Sequence, residues 1–283
     1  MSLLKRAMLR HIEAAYGARK KQVILVLSDA GNIGKTKIAS LILETLRQKT
    51  TVDAYVCDAN FQGLFDRYGQ KDKKGFRIPL AQQDPSVGVG FLDISNPSES
   101  SKFSTYLGSP AEFMLFDLPA NSTQALATCM GTPQDFIDFM EFADAEPIFV
   151  CPIKDAKSVL SYENLRATFP NERFVVFING GAIKASYGVN TKAAQEEIAA
   201  YKAKFSKENV DLICLEHILS ERVFNLLENH TFREVFTPRT ERRNADGTFS
   251  AGDDDFLAKD RGDQFILNKL IPEATDDIAK VFL

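Results

Sequence analysis

The stretch from Val23 to Leu46 limits the folds open to this chain more than any other. Val23-Ile24-Leu25-Val26-Leu27 is wholly apolar, Ser28 to Thr36 is a polar turn, and Ile38 to Leu46 is apolar at helical spacing. An apolar run this short, bounded by a turn, is a strand buried on both faces. The turn reads Ser28-Asp29-Ala30-Gly31-Asn32-Ile33-Gly34-Lys35-Thr36. Strand, glycine-containing loop, Gly-Lys-Thr and helix form the setting in which a loop cradles phosphate. Its backbone N–H groups and the helix N-terminus converge on one point, which suits a polyphosphate such as ATP or ADP. The expected cradle is Gly31, Asn32, Ile33, Gly34, Lys35, Thr36 and Lys37. Lys35 would set its ammonium on the β- and γ-phosphates, and Thr36 its hydroxyl on Mg²⁺. Gly34 would let the backbone approach with no Cβ in the way. The strict pattern has glycine where Asp29 stands, and a bare Gly-Lys-Thr also occurs in plain strand-to-helix turns with a surface lysine. The flanking pattern is what carries the phosphate reading.

Length and charge narrow the class. A chain of 283 residues with 45% apolar and 25% charged residues can bury a core without disulfides or a structural metal. Cys57, Cys129, Cys151 and Cys214 show no C-x-x-C spacing and read as reduced thiols of a cytoplasmic protein. A net charge of −4 supplies no global field for nucleic acid, so any DNA contact must be a local basic patch. No apolar run is long enough for a transmembrane segment, and the N-terminus has no apolar signal core.

Along the chain the pattern alternates. Residues 1–21 form an expected basic amphipathic helix, with Leu4, Met8 and Ile12 on one side and Lys5, Arg6, Arg10, Arg19, Lys20 and Lys21 around them. Such a helix suits DNA, a membrane surface or an acidic partner, or simply packs with its basic face solvated. Strands are expected at 22–28, 52–57, 87–94, 112–117, 147–153, 173–178 and 210–217. Helices are expected at 36–48, 96–107, 121–130, 133–143, 155–168, 191–205 and 219–229, and residues 66–86 as a mobile polar loop. Two strands end in aspartate. Asp58 would face the crevice beside the phosphate loop, near Mg²⁺ or an attacking water, or serve as a turn residue. Asp117 closes Phe113-Met114-Leu115-Phe116 and suits a water-mediated hold on Mg²⁺. Asn179 ends a later strand, where its amide suits a purine edge or a turn. The expected fold is α/β: a three-layer, mostly parallel sheet of about seven strands with helices on both faces. The nucleotide-binding domain is expected over 22–236. Residues 237–283 follow as a polar loop, with Arg239, Arg242 and Arg243, and a C-terminal helix packed on the domain.

In this order the motifs resemble the ParA/MinD family of P-loop ATPases, whose Walker A motif is deviant. The family's Lys-Gly-Gly-x-Gly-Lys-[Ser/Thr] compares with Ala30-Gly31-Asn32-Ile33-Gly34-Lys35-Thr36. Its Asp-x-Asp-Pro-Gln-Gly compares with Asp58-Ala59-Asn60-Phe61-Gln62-Gly63, and its Asp-x-Pro with Asp117-Leu118-Pro119. The resemblance implies a nucleotide-dependent homodimer that positions DNA or protein cargo, with a protein partner, in plasmid partition or conjugative transfer. It implies Lys35, Asp58 and Asn60 at the catalytic positions, Thr36, Asp58 and Asp117 around Mg²⁺, and Asn179 at adenine. Two positions depart from it. The lysine that crosses the family's dimer is Ala30, and the second aspartate of the switch is Asn60, which cannot take a proton at neutral pH. Losing one such contact costs about 3–4 kcal/mol of barrier, so binding with weak or absent hydrolysis is expected. A non-hydrolysing scaffold, or an ATP-dependent ligase of the same fold, are the alternatives.

Overall fold

The computed structural model describes residues 20–58, 63–96, 99–188, 191–215, 231, 242–243, 249–250 and 261–283. Seven parallel strands form one sheet: β1 (Lys21–Val26), β2 (Val52–Val56), β3 (Gly90–Phe91), β4 (Phe113–Asp117), β5 (Ala145–Ile153), β6 (Arg173–Ile178) and β7 (Asp211–Cys214). Their order is β3-β2-β4-β1-β5-β6-β7. The helices between them are α1 (Lys35–Arg47), α2 (Gly63–Tyr68), α3 (Ser100–Leu107), α4 (Thr123–Thr128), α5 (Pro133–Phe142), α6 (Ala156–Thr168), α7 (Gly180–Tyr187) and α8 (Lys192–Phe205), with α9 (Arg261–Phe282) at the end. This is the three-layer α/β fold that the strand pattern implies.

The sheet is buried on both faces, which is why its strands are mostly apolar, with Gln22 and Asp53 as buried polar exceptions. On one face α1 and the end of α9 cover Ile24, Val26, Leu115, Val150 and Phe177, with Ile38, Ile42, Ile278 and Phe282 fully buried between. On the other, aromatic rings touch in a continuous series from Tyr106 through Tyr55, Phe116, Phe103, Phe136, Phe169, Phe149 and Phe174 to Tyr162 and Phe205. Burying rings of this size contributes about 1.5–3 kcal/mol each, upper values that exclude chain entropy.

The topology sets the crevice. β1 is central, hydrogen-bonded to β4 on one side and β5 on the other, with Val26 level with Asp117 and Val150. The helix after β1 packs on one face, whereas Leu126, Phe136 and Met140 of α4 and α5, which follow β4, pack on the other. The chain thus diverges at the carboxyl ends of β1 and β4, the switch point where open α/β sheets bind ligands. The ladder also ends there for a chemical reason. Leu27 N–H donates to Val150 O, and the next β5 residue facing β1 is Pro152, which has no N–H to return. The chain leaves the sheet at that level and becomes the loop.

Four segments differ from the sequence reading. Residues 66–86 are organised rather than loose: α2 leads into a bridge between Lys71 and Arg77 and a 3-10 turn at Leu80–Gln82. The Gln83 amide bonds Gln70 and Ile78, and the Arg47 guanidinium gathers the carbonyls of Val52, Pro85, Val87 and Gly88. The strand expected at 87–94 pairs only at Gly90–Phe91. Asn179-Gly180-Gly181, read as a strand end with a purine-facing or a turn asparagine, opens α7. Arg242–Arg243 pairs antiparallel with Phe249–Ser250 inside the segment read as an exposed loop. Asn60, the N-terminal basic helix up to Arg19 and the helix expected at 219–229 lie outside the described residues.

Candidate functional site

The loop after β1 is built from the outside inward. Asp29 N–H donates to Ser161 Oγ on α6 at 2.7 Å, and Ala30 N–H to Ser28 Oγ at 3.2 Å. From Gly31 to Thr36 the backbone N–H groups donate to no acceptor among the described residues; the next two, of Lys37 and Ile38, close onto Gly34 O. Six consecutive N–H groups without a protein acceptor, ending in the first turn of α1, form a concave anion site. Asn32 and Gly34 take left-handed φ values of 55° and 93° that curl the loop. At Gly34 the requirement is also steric, because a Cβ there would lie 2.8 Å from Asn179 Nδ2.

Lys35 lies along this cradle. Its Nζ donates to Ala30 O at 3.2 Å and reaches Ser28 O at 3.5 Å. Burial lowers its pKa, against the pull of Asp117, Asp58 and Asp29. A desolvated ammonium resting on loop carbonyls is poised to exchange them for phosphate oxygens, which offer full charge.

Asp117 is 4% exposed, and its carboxylate accepts a bond from the Thr36 hydroxyl. Its Oδ1 is buried without any partner. Burial pushes its pKa up to about 6, in spite of that bond and the nearby charges of Lys35 and Arg67; Asp58 adds to the rise. A buried carboxylate oxygen left without a donor calls for a cation or an ordered water. Thr36 and Asp117 together fit Mg²⁺, which takes one or two protein oxygens and fills its shell with phosphates and water. Asp58 lies just beyond β2, half-buried, where Cys57 N–H donates to Asp117 O at 3.0 Å. The structure therefore brings Lys35, Thr36, Asp58 and Asp117 together.

Asn179 reaches the same loop from across β5. Its Nδ2 donates to Ile33 O at 3.0 Å, and its Oδ1 accepts from Ala182 N–H at 3.2 Å, capping α7. One amide hydrogen and one lone pair remain for a base edge. Sequence reasoning missed Arg67. It is 7% exposed on α2, donates to Ser40 Oγ at 2.9 Å, and its charge bears on Asp117. Ser40 in turn donates to Thr36 O at 2.7 Å. The only sequence signal for Arg67 was a cation in a short helix beyond Asp58.

No protein-family model and no curated protein matches the chain. Several solved structures share its path. The cell-division protein MinD of Aquifex aeolicus is 13% identical, over 92% of this chain and 97% of its own, with a TM-score of 0.48. A putative plasmid partition protein of Borrelia burgdorferi, bound to AMPPNP, is 11% identical over 93% and 100%, with a TM-score of 0.45. A nucleotide-binding protein of Archaeoglobus fulgidus in complex with ADP is 17% identical over 74% and 86%, with a TM-score of 0.42. At these values the likeness is one of chain path, and the fold rests on the strand order itself. No helix among the described residues is long and apolar enough to cross a membrane.

Proposed function

We propose that this chain is a ParA-like nucleotide switch: it binds ATP or ADP with Mg²⁺ at the carboxyl ends of β1 and β4 and hydrolyses slowly. One observation supports this most. Among the described residues, six consecutive loop amides have no protein acceptor, beside a lysine resting on carbonyls and a buried aspartate oxygen with no partner. Anion donors and an orphaned metal acceptor, side by side, fit one ligand, a metal–polyphosphate.

In this reading Gly31 to Lys37 and Lys35 hold the phosphates, while Thr36, Asp117 and Asp58 hold Mg²⁺. Mg²⁺ held there would supply charge neutralisation to the phosphates. This chain's own contribution is to orient the tail and exclude water. Ala30 offers no cation of its own, and Asn60 offers no base, so turnover is slow. The unit over 22–236 acts as a cytoplasmic, nucleotide-dependent homodimer with a protein partner, in partition, positioning or conjugative transfer of plasmid DNA. Any DNA contact runs through basic patches such as the Lys- and Arg-rich stretch at residues 5–21.

A non-hydrolysing scaffold is the second reading. It is favoured by the Lys35 ammonium already being held by the loop's own carbonyls. Size-exclusion chromatography with ATP, ADP and no nucleotide separates the two. The switch predicts a mass shift with ATP and Mg²⁺ that Lys35→Ala abolishes. An identical elution volume under all conditions, with no nucleotide retained, favours the scaffold and overturns the switch.

A further inference from the structure

Asp29 is a carboxylate inside a loop built for polyphosphate, where the pattern asks for glycine. Its contacts show what it does in the nucleotide-free chain. Oδ1 accepts from Thr123 N–H, the first residue of α4, at 3.2 Å. Its own N–H is turned away, onto Ser161 Oγ. Its charge also bears on Lys35. The phosphate loop is thereby tied to the segment that runs from Asp117 into α4.

That segment carries a second, independent mark. Asp117 Oδ1, Ser122 Oγ and Thr123 Oγ1 are all buried without a hydrogen-bond partner. Ser122 is 2% exposed and Thr123 9%. Buried oxygens left unsatisfied are costly, and here they gather on one short stretch held against the loop by one carboxylate. An arrangement that satisfies them requires the stretch to shift or to meet new partners.

We infer that Asp29 is a charge-operated latch: through Oδ1 it holds the start of α4, and an incoming polyphosphate expels it and frees the segment after Asp117. Like charges brought into one partly desolvated loop cannot share it without cost. The same carboxylate that closes the latch therefore weakens nucleotide binding. At an effective dielectric constant of about 40 and a separation of ~6 Å, one such pair is worth a factor of about ten in affinity. Asp29 is a positioning residue in this scheme, since it acts on α4 and on Lys35. The inference rests on the nucleotide site proposed above.

Charge and hydrogen bonding are separable, because Asn keeps the acceptor for Thr123 N–H and drops the charge. The experiment measures hydrogen exchange across residues 118–128, with affinity for Mg²⁺ and a non-hydrolysable ATP analogue, in the unaltered chain, Asp29→Asn and Asp29→Ala. In the unaltered chain, exchange over this stretch rises on binding. Asp29→Asn binds about tenfold tighter, and its exchange stays low when ligand is added. Asp29→Ala exchanges fast before any ligand is present. A residue that merely capped α4 would leave affinity unmoved in Asp29→Asn, and that result overturns the latch. So does an unaltered chain that binds the analogue with no change over 118–128. If the unaltered chain binds no nucleotide, the proposed function fails, and with it the triggered half of the latch. The holding half then stands or falls on whether Asp29→Ala raises exchange at Thr123.

Discussion

Replacing Asp117 by Asn changes how stability depends on pH, by an amount that follows from its burial. The ordinary carboxylate pKa of 3.8 rises to about 6 in the folded chain. The folded state therefore holds the proton more tightly than the unfolded chain. The group favours folding where it is protonated, and that contribution is lost as pH rises from the unfolded pKa through the folded one. Between about pH 5 and about pH 7.5 the loss is on the order of 1 kcal/mol, and its full extent at neutral pH is about 3 kcal/mol. Full burial leaves no solvent screening to discount. Comparing chain with variant at both pH values cancels the fixed cost of the new amide and leaves the titration alone. By thermal melting without metal, the unaltered chain loses roughly 2 °C more than Asp117→Asn over that range. Mg²⁺ with nucleotide restores the unaltered chain at the higher pH and leaves the variant unmoved. Parallel pH profiles for the two proteins would refute the claim that Asp117 is a strained, charged oxygen awaiting a cation.

Other outcomes follow from neighbouring contacts. Thr36→Ala removes the hydroxyl on Asp117 and abolishes the Mg²⁺ dependence of nucleotide binding, while Thr36→Ser keeps it; titrating Mg²⁺ at fixed nucleotide reads the difference. Gly34→Ala places a Cβ on Asn179 Nδ2 in a left-handed backbone, and costs about 1–2 kcal/mol or more in denaturant unfolding. Asn179→Ala frees Ile33 O and uncaps α7, for a loss of about 1–2 kcal/mol, and Asn179→Asp recovers the cap alone. Ser40→Ala breaks the path from Arg67 to Thr36 and costs about 1 kcal/mol in stability, with weaker Mg²⁺-dependent binding.

The residues that made the fold legible were those whose surroundings are set by backbone geometry. Apolar runs fixed the sheet, because a strand buried on both faces has few polar options. Asp117 was legible for the same reason, as a charge closing such a run. Lys35 and Thr36 follow from the turn between strand and helix. What could not be read depends on contacts between distant segments. Arg67 sits in an ordinary six-residue helix and gains meaning only where Ser40 and Asp117 meet it. Gly180 and Gly181 disfavour a helix, and α7 forms because Asn179 caps it and Gly181 N–H finds Leu215 O. The 70–88 segment has no period, yet Arg47 and Gln83 tie its carbonyls together. Asp29 read as a blemish in a motif, and its tie to Thr123 spans two loops far apart in the chain.

Calorimetric titration of ATP into the purified chain, with Mg²⁺ and with chelator, tests the central claim most directly when run beside a folded Lys35→Ala variant. A loop of unpaired amides under one ammonium predicts saturable binding that needs Mg²⁺ and weakens by about a hundredfold in the variant. Absence of binding by the folded chain, or equal binding by Lys35→Ala, would contradict it.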